Sequence, residues 1–184
     1  MATQNRGAED AMRAVGVVVG NPKPRSRTLD VATAVADAAA GATGMAGATR
    51  VTVDLADIGS SLFDWSSTPV REAVDAVRAC SLAVVASLTY KASYTGLLKS
   101  FLDWFSTTDL NGVVVVPLMV GAGPQHALAV EIHLRPVLVE LGATLPTRGL
   151  YVTEDQIEKL DAVVAAWLAE AAPRLRATVM PESL

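Results

Sequence analysis

The sequence predicts an α/β fold, a three-layer sandwich with helices on both faces of a five-stranded parallel sheet. Five short runs rich in valine, leucine and alanine recur along the 184 residues. The first, third and fourth are apolar throughout, as strands buried on both faces are. Between them lie stretches with apolar residues three and four apart, the spacing of helices. Strands alternating with helices build parallel sheet, because right-handed crossovers deposit helices on either face. A composition of 51% hydrophobic and 18% charged residues supports one sizeable core and excludes disorder.

In order, Ala14 to Val19 is a β-branched run closed by Gly20-Asn21-Pro22-Lys23-Pro24, hence a strand ending in a sharp loop. Ser26 or Thr28 can cap the alanine-rich helix from Leu29 to Ala40, which stops in the glycines at 41, 44 and 47. Thr49 to Leu55 is the second strand, 56–69 reads as a loop, and Val70 to Ala79 forms a short helix. Leu82 to Ala86 is the third strand. The run Ser87 to Lys99 links it to a helix marked by Leu97, Leu98, Phe101, Leu102 and Phe105. Val113 to Met119 is the fourth strand, turned by Gly121-Ala122-Gly123-Pro124 into a helix from about 124 to 141, with Pro136 favouring a kink or bulge near Ile132. Leu145 to Val152 is the fifth strand. Ile157 to Ala171 is an amphipathic helix ending before Pro173. Five strands without a sixth favour the flavodoxin-like order 2-1-3-4-5, with the ligand where strands one and three diverge.

A net charge of -4 argues against nucleic-acid binding, which needs a basic surface. The single cysteine, Cys80, forms no internal disulfide, and no apolar run approaches the length of a membrane span. Residues 1–12 read as a flexible tail rather than a signal peptide, residues 13–184 as one domain, and a reducing cytoplasm is the expected location.

The basic and hydroxyl run Lys23, Arg25, Ser26, Arg27, Thr28 falls where a strand meets a helix N-terminus, whose free amides and partial positive charge suit a phosphate. Its plainer reading is a solvated basic loop with one capping hydroxyl. In the central loop, Tyr90 and Tyr94 are placed to flank a flat ring while Lys91 and the hydroxyls of Ser87, Thr89, Ser93 and Thr95 supply donors, although tyrosines commonly just bury a ring. Gly121-Ala122-Gly123 implies close backbone approach. His126 and His133, about 10 Å apart along a helix, are too distant to share a metal. Cys80 reads as a structural residue at the opposite end of the sheet. Phosphate and ring contacts without acid–base machinery suit a redox protein whose cofactor carries the reactivity.

Three runs together resemble the NADPH-dependent FMN reductases, most closely the flavin reductases of two-component alkanesulfonate monooxygenase systems. They are Gly20-Asn21-Pro22 through Ser26-Arg27-Thr28, Thr89-Tyr90-Lys91-Ala92-Ser93-Tyr94-Thr95-Gly96-Leu97-Leu98-Lys99, and His126 to Val130 with Arg135 to Leu138. The resemblance spans about residues 14–157. It departs at Leu88, where the family usually has proline, and at Gly121-Ala122, where it usually has two glycines. It implies FMN as cofactor and NADPH or NADH as reductant. It also implies that Arg25, Ser26, Arg27 and Thr28 hold the flavin phosphate, that Thr89, Tyr90, Lys91 and Ser93 flank the ring, and that Gly121, Ala122 and Gly123 lie against its pyrimidine end. Hydride would pass from the nicotinamide to flavin N5, with a flavin-dependent monooxygenase as the downstream partner. The alternatives are a quinone, azo or chromate reductase with fixed FMN, and a non-enzymatic flavodoxin-like carrier. Apolar residues all round the helix from Ala127 to Leu141, with Tyr94 and Trp104 off the preceding helix's core stripe, predict a homodimer or homotetramer.

Overall fold

A computed structural model describes residues 14–179, so the expected tail at 1–12 lies outside the described residues. The strands are β1 (Ala14–Gly20), β2 (Thr49–Asp54), β3 (Leu82–Leu88), β4 (Val114–Gly121) and β5 (Leu150–Thr153). All pair in parallel, in the order β2-β1-β3-β4-β5. The register sets Gly20 beside Ser87, Leu88 beside Val120 and Gly121 beside Thr153, so the segments after β1, β3, β4 and β5 leave from one edge.

Alternation along each strand divides the core in two. Val15, Val17 and Val19 face α1 (Arg27–Ala42) and the long C-terminal helix Leu160–Val179. Ala32, Ala36, Ala39 and Ala40 on α1 are fully buried against this face, small enough for helix and sheet to approach closely. Val18 and Val85 face the other way. They share a cluster with Val70, Val74 and Val77 of the helix Thr68–Arg78, Leu98 and Phe101 of the helix Gly96–Leu102, and Leu138 of the helix Arg135–Glu140.

Several boundaries differ from those the sequence predicts, each for a local reason. Helix α1 begins two residues early, at Arg27, with Ser26 as its N-cap. Residues 55–61 are not loop: α2 (Leu55–Ile58) and a 3₁₀ turn (Gly59–Ser61) follow β2 directly, because the Asp54 carboxylate accepts the amide of Ala56. The helix Thr68–Arg78 is α3 and Gly96–Leu102 is α4. Ser87 and Leu88 belong to β3, which shortens the central loop to 89–95.

The helix expected from 124 to 141 is broken into a 3₁₀ turn (Pro124–His126), a π turn (Val130–Leu134) and α5 (Arg135–Glu140). The Arg135 amide reaches back five residues to the Val130 carbonyl. Pro136, next in line, has no amide with which to close the normal turn onto Ile132.

The fifth strand starts at Leu150 rather than Leu145. Pro117 in β4 has no amide to give, and the β4–β5 ladder begins one residue later, at Leu118 with Leu150. The chain before it is held by side chains instead. Arg135 donates to the Thr147 and Leu145 carbonyls, both at 2.7 Å, and Glu131 accepts the Gly149 amide at 2.6 Å. Finally, α6 (Leu160–Val179) continues through Pro173 instead of stopping before it. Ala172 and Leu175 are buried beyond the last predicted residue, and Arg176 Nε donates to the Ala42 carbonyl that ends α1.

Candidate functional site

The first loop is shaped by its own side chains. A Cβ on Gly20 would run into Leu98 and lie 3.2 Å from Thr95 Oγ1, so only glycine lets β1 end against the first turn of α4. Asn21 Oδ1 accepts the Lys23 amide while its Nδ2 donates to Thr28 Oγ1, each at 2.9 Å. Arg25 adopts a left-handed backbone (φ 49°), and its amide donates to Asp54 Oδ2 at 2.9 Å. The loop thereby aims Ser26 inward. Its hydroxyl makes no cap bond to α1 and, although Ser26 is 3% exposed, has no partner at all. A buried polar group without a partner is rare in a folded chain and calls for a ligand or water. Beside it lie the opening amides of α1, which by helix geometry have no carbonyl to bond within the helix.

The central loop divides its hydroxyls between two tasks. Ser87 Oγ accepts the Thr95 amide at 3.0 Å, and Thr95 Oγ1 caps α4 at Leu98 while donating to the Gly20 carbonyl at 2.7 Å. These two hydroxyls join the first and central loops instead of facing a ligand. Thr89 is different: its amide extends the ladder to the Val120 carbonyl, and its buried Oγ1 is unpartnered. Tyr90 and Ser93 exchange backbone hydrogen bonds across a tight turn whose tip, Lys91 and Ala92, sits at φ 49° and 65°. The Tyr90 ring is 63% exposed, with Lys91 Nζ 6.0 Å from its centroid.

In the glycine loop only one position forbids a side chain. A Cβ on Gly121 would collide with the Tyr151 hydroxyl, which donates to the Gly123 carbonyl at 3.0 Å. Ala122 is exposed, so its methyl costs the fold nothing. Tyr151, like Asp54 in its bond to the Arg25 amide, carries no sequence signal of its role, since each acts on backbone brought near only by folding.

The first loop, the ends of β3 and β4 and the segment after β5 line a cavity of about 330 Å³. Ser26, Arg27 and Thr28 line it from α1, Leu88 and Val120 from the ends of β3 and β4, and Glu154 and Ile157 from the segment after β5. Arg27 Nη2 pairs with Glu154 Oε2 at 3.3 Å, both side chains being substantially exposed. Of the predicted phosphate group, Ser26, Arg27 and Thr28 converge on the cavity, whereas Arg25 is exposed and does not line it. Thr89, Tyr90, Lys91, Ser93 and the glycine loop lie at the ends of the adjoining strands β3 and β4 and do not line this cavity. Glu154 was legible in principle, since any residue just after a parallel strand falls on this edge. The unpartnered Ser26 hydroxyl, the free amides and Arg27 form a donor set suited to a phosphorylated ligand.

A family model described as NADPH-dependent FMN reductase matches residues 12–158. The chain belongs to that family. In this FMN reductase family member, 74 residues are 40% identical to the FMN reductase (NADPH) of Escherichia coli (strain K12), covering 40% of the chain and 39% of that protein. A further 101-residue match is 33% identical to the NADH-dependent FMN reductase SfnF of Pseudomonas putida, covering 55% of the chain and 54% of that protein. The chain thus spans about half or less of the length of these curated relatives. A crystal structure of an NADH:FMN oxidoreductase in its apo form superposes with a TM-score of 0.77 at 30% identity, over 92% of this chain and 91% of that one. Leu88 closes β3 opposite Val120 and contributes an apolar wall to the cavity.

Outside this site, Cys80 is buried at the start of β3, and desolvation pushes its thiol up to about 11. His126 and His133 line a second cleft, of about 380 Å³, with Leu128 and Ile132.

Proposed function

We propose that the chain is an NAD(P)H-dependent FMN reductase that moves hydride from the nicotinamide to flavin N5. The observation that carries the reading is the buried, unpartnered Ser26 hydroxyl at the N-terminus of α1, beside Arg27 and Thr28. These three residues would hold the FMN phosphate, with Arg25 in the same basic loop. Thr89, Tyr90, Lys91 and Ser93 would flank the ring, and Gly121, Ala122 and Gly123 would offer backbone to its pyrimidine end. Bound FMN would supply the redox chemistry. The protein orients it: Thr95 and Ser87 hold the first and central loops at a set separation, and Leu88 and Val120 keep water from one side of the cavity.

The decisive measurement is NADPH and NADH oxidation with and without added FMN. Oxidation that depends on added FMN is expected, and no oxidation under either condition would sink the reading. A fixed-FMN quinone, azo or chromate reductase would oxidise NAD(P)H without added flavin. A non-enzymatic electron carrier fits less well with Lys23, Arg25, Arg27 and Lys91 gathered on the ligand-facing edge, since those carriers tend to be acidic there.

The same reading includes a homodimer or homotetramer, a cytoplasmic location and a flavin-dependent monooxygenase as the acceptor of reduced flavin. The assembly rests on Leu128, Ile132 and Val139, which are 65%, 61% and 56% exposed along the 127–141 segment while Val130, Leu134 and Leu138 fill the core. Trp104, predicted to help, is half-buried within its own chain. It donates to the Leu62 carbonyl at 2.9 Å and packs on Trp65 at 4.8 Å. None of the described helices is long and apolar enough to cross a membrane.

A further inference from the structure

An acidic side chain stands inside the cavity that the preceding section assigns to a phosphate. Glu154 opens the 3₁₀ turn Glu154–Lys159, directly after β5, and its position is fixed from below. The Thr153 hydroxyl accepts the Gln156 amide, and Gln156 Oε1 in return accepts the Thr153 amide at 3.0 Å. From this anchored backbone the carboxylate reaches Arg27 Nη2 at 3.3 Å, and both side chains line the same cavity as Ser26 and Thr28. A ligand phosphate drawn to Ser26 and the start of α1 therefore meets an arginine already engaged by another anion.

We propose that Glu154 is an internal competitor for the phosphate, occupying Arg27 when the site is empty and lowering the affinity for FMN while leaving affinity for the flavin ring unchanged. The inference rests on the FMN reading above. Two effects act in the same direction: the phosphate must displace the carboxylate from Arg27, and a negative charge remains near a dianion. Because the pair is largely exposed, the penalty is modest and salt-sensitive. Its consequence is a flavin that exchanges with solution, which suits a protein that releases reduced FMN and not one that retains it.

The test is a fluorescence titration of FMN and riboflavin into the wild-type chain, E154Q, R27A and R27A/E154Q. Riboflavin has the ring but no phosphate. Glu154→Gln should tighten FMN by roughly three- to tenfold at low salt and leave riboflavin within about twofold. The gain should shrink at high ionic strength and in the Arg27→Ala background, where there is no guanidinium to compete for. Equal tightening of both flavins, no change for FMN, or an undiminished gain without Arg27 would each overturn the proposal. Circular dichroism of E154Q and its unchanged riboflavin affinity together report that the fold is intact. Failure of the wild-type chain to bind either flavin would instead remove the FMN reading itself, and the inference with it.

Discussion

Ser26 occupies the N-cap of a sixteen-residue helix yet gives that helix no side-chain bond, so its hydroxyl is a cost to the free protein that a ligand can offset. Ser26→Ala should accordingly leave the free chain as stable as before, or more stable by up to about 1 kcal/mol. FMN affinity should fall roughly tenfold, for loss of one charge-assisted hydrogen bond. Thermal unfolding and flavin titration of the same sample measure both, and a variant that loses stability without losing affinity would make Ser26 a structural cap. Cys80 gives a pH prediction. Burial holds its folded pKa near 11, above that of a thiol in the unfolded chain, so between about pH 9 and 11 the unfolded state binds fewer protons than the folded one. Stability must therefore fall as pH rises through that window. Cys80→Ala should show a shallower alkaline decline in urea midpoints, and an identical decline would place the titration on other groups.

The segment before β5 shows how an element can be misread when side chains substitute for strand pairing. Leu145 to Gly149 falls inside the predicted strand, but its Leu145 and Thr147 carbonyls accept from Arg135, its Arg148 carbonyl from Trp167, and its last amide donates to Glu131. Glu131 and Arg135 sit one turn apart across the π bulge, with Arg135 Nε 3.8 Å from Glu131 Oε2. Arg135→Ala would leave two carbonyls without their donor, at a cost of about 1–3 kcal/mol. Urea unfolding should show a lower midpoint with an unchanged slope; a midpoint shift below about 0.5 kcal/mol equivalent would mean that water replaces the arginine readily. Pro136 illustrates what is legible at this scale: its missing amide signals a break near Ile132 from sequence alone, and a π turn ends two residues before it. Pro173 shows the opposite. The prohibition on proline in helices is local, and it is overridden where burial of Leu175 and the Arg176 contact to Ala42 hold the following turns.

At the scale of the whole molecule, β1, β3 and β4 stand out as apolar runs because a strand buried on both faces has no polar side to obscure the signal, whereas the edge strand β2 is largely exposed and interleaves polar residues. The first loop as one wall of the cavity was also legible, since any loop at a strand-to-helix turn falls on this edge of the sheet. Tyr151, Asp54 and the division of labour among the central hydroxyls were not, because each depends on what folding brings within 3 Å of a hydroxyl or amide. The proposed assembly makes a prediction here as well. Ile132→Glu should shift sedimentation to a smaller species with little change in monomer stability, because Ile132 is exposed in the single chain. A wild-type chain that already sediments as a monomer would remove the assembly.

Thr95 ends one helix cap and begins another relationship: the same hydroxyl that accepts from Leu98 donates to Gly20, and Ser87 holds its amide. The two loops are therefore not independent parts for an engineer. A first loop exchanged alone must still meet α4 at a glycine, because a Cβ at position 20 would strike Leu98, and a central loop exchanged alone must still supply the hydroxyl that Thr95 gives to the Gly20 carbonyl. Changing this protein's ligand preference by grafting will require both loops and the start of α4 to be moved as one piece.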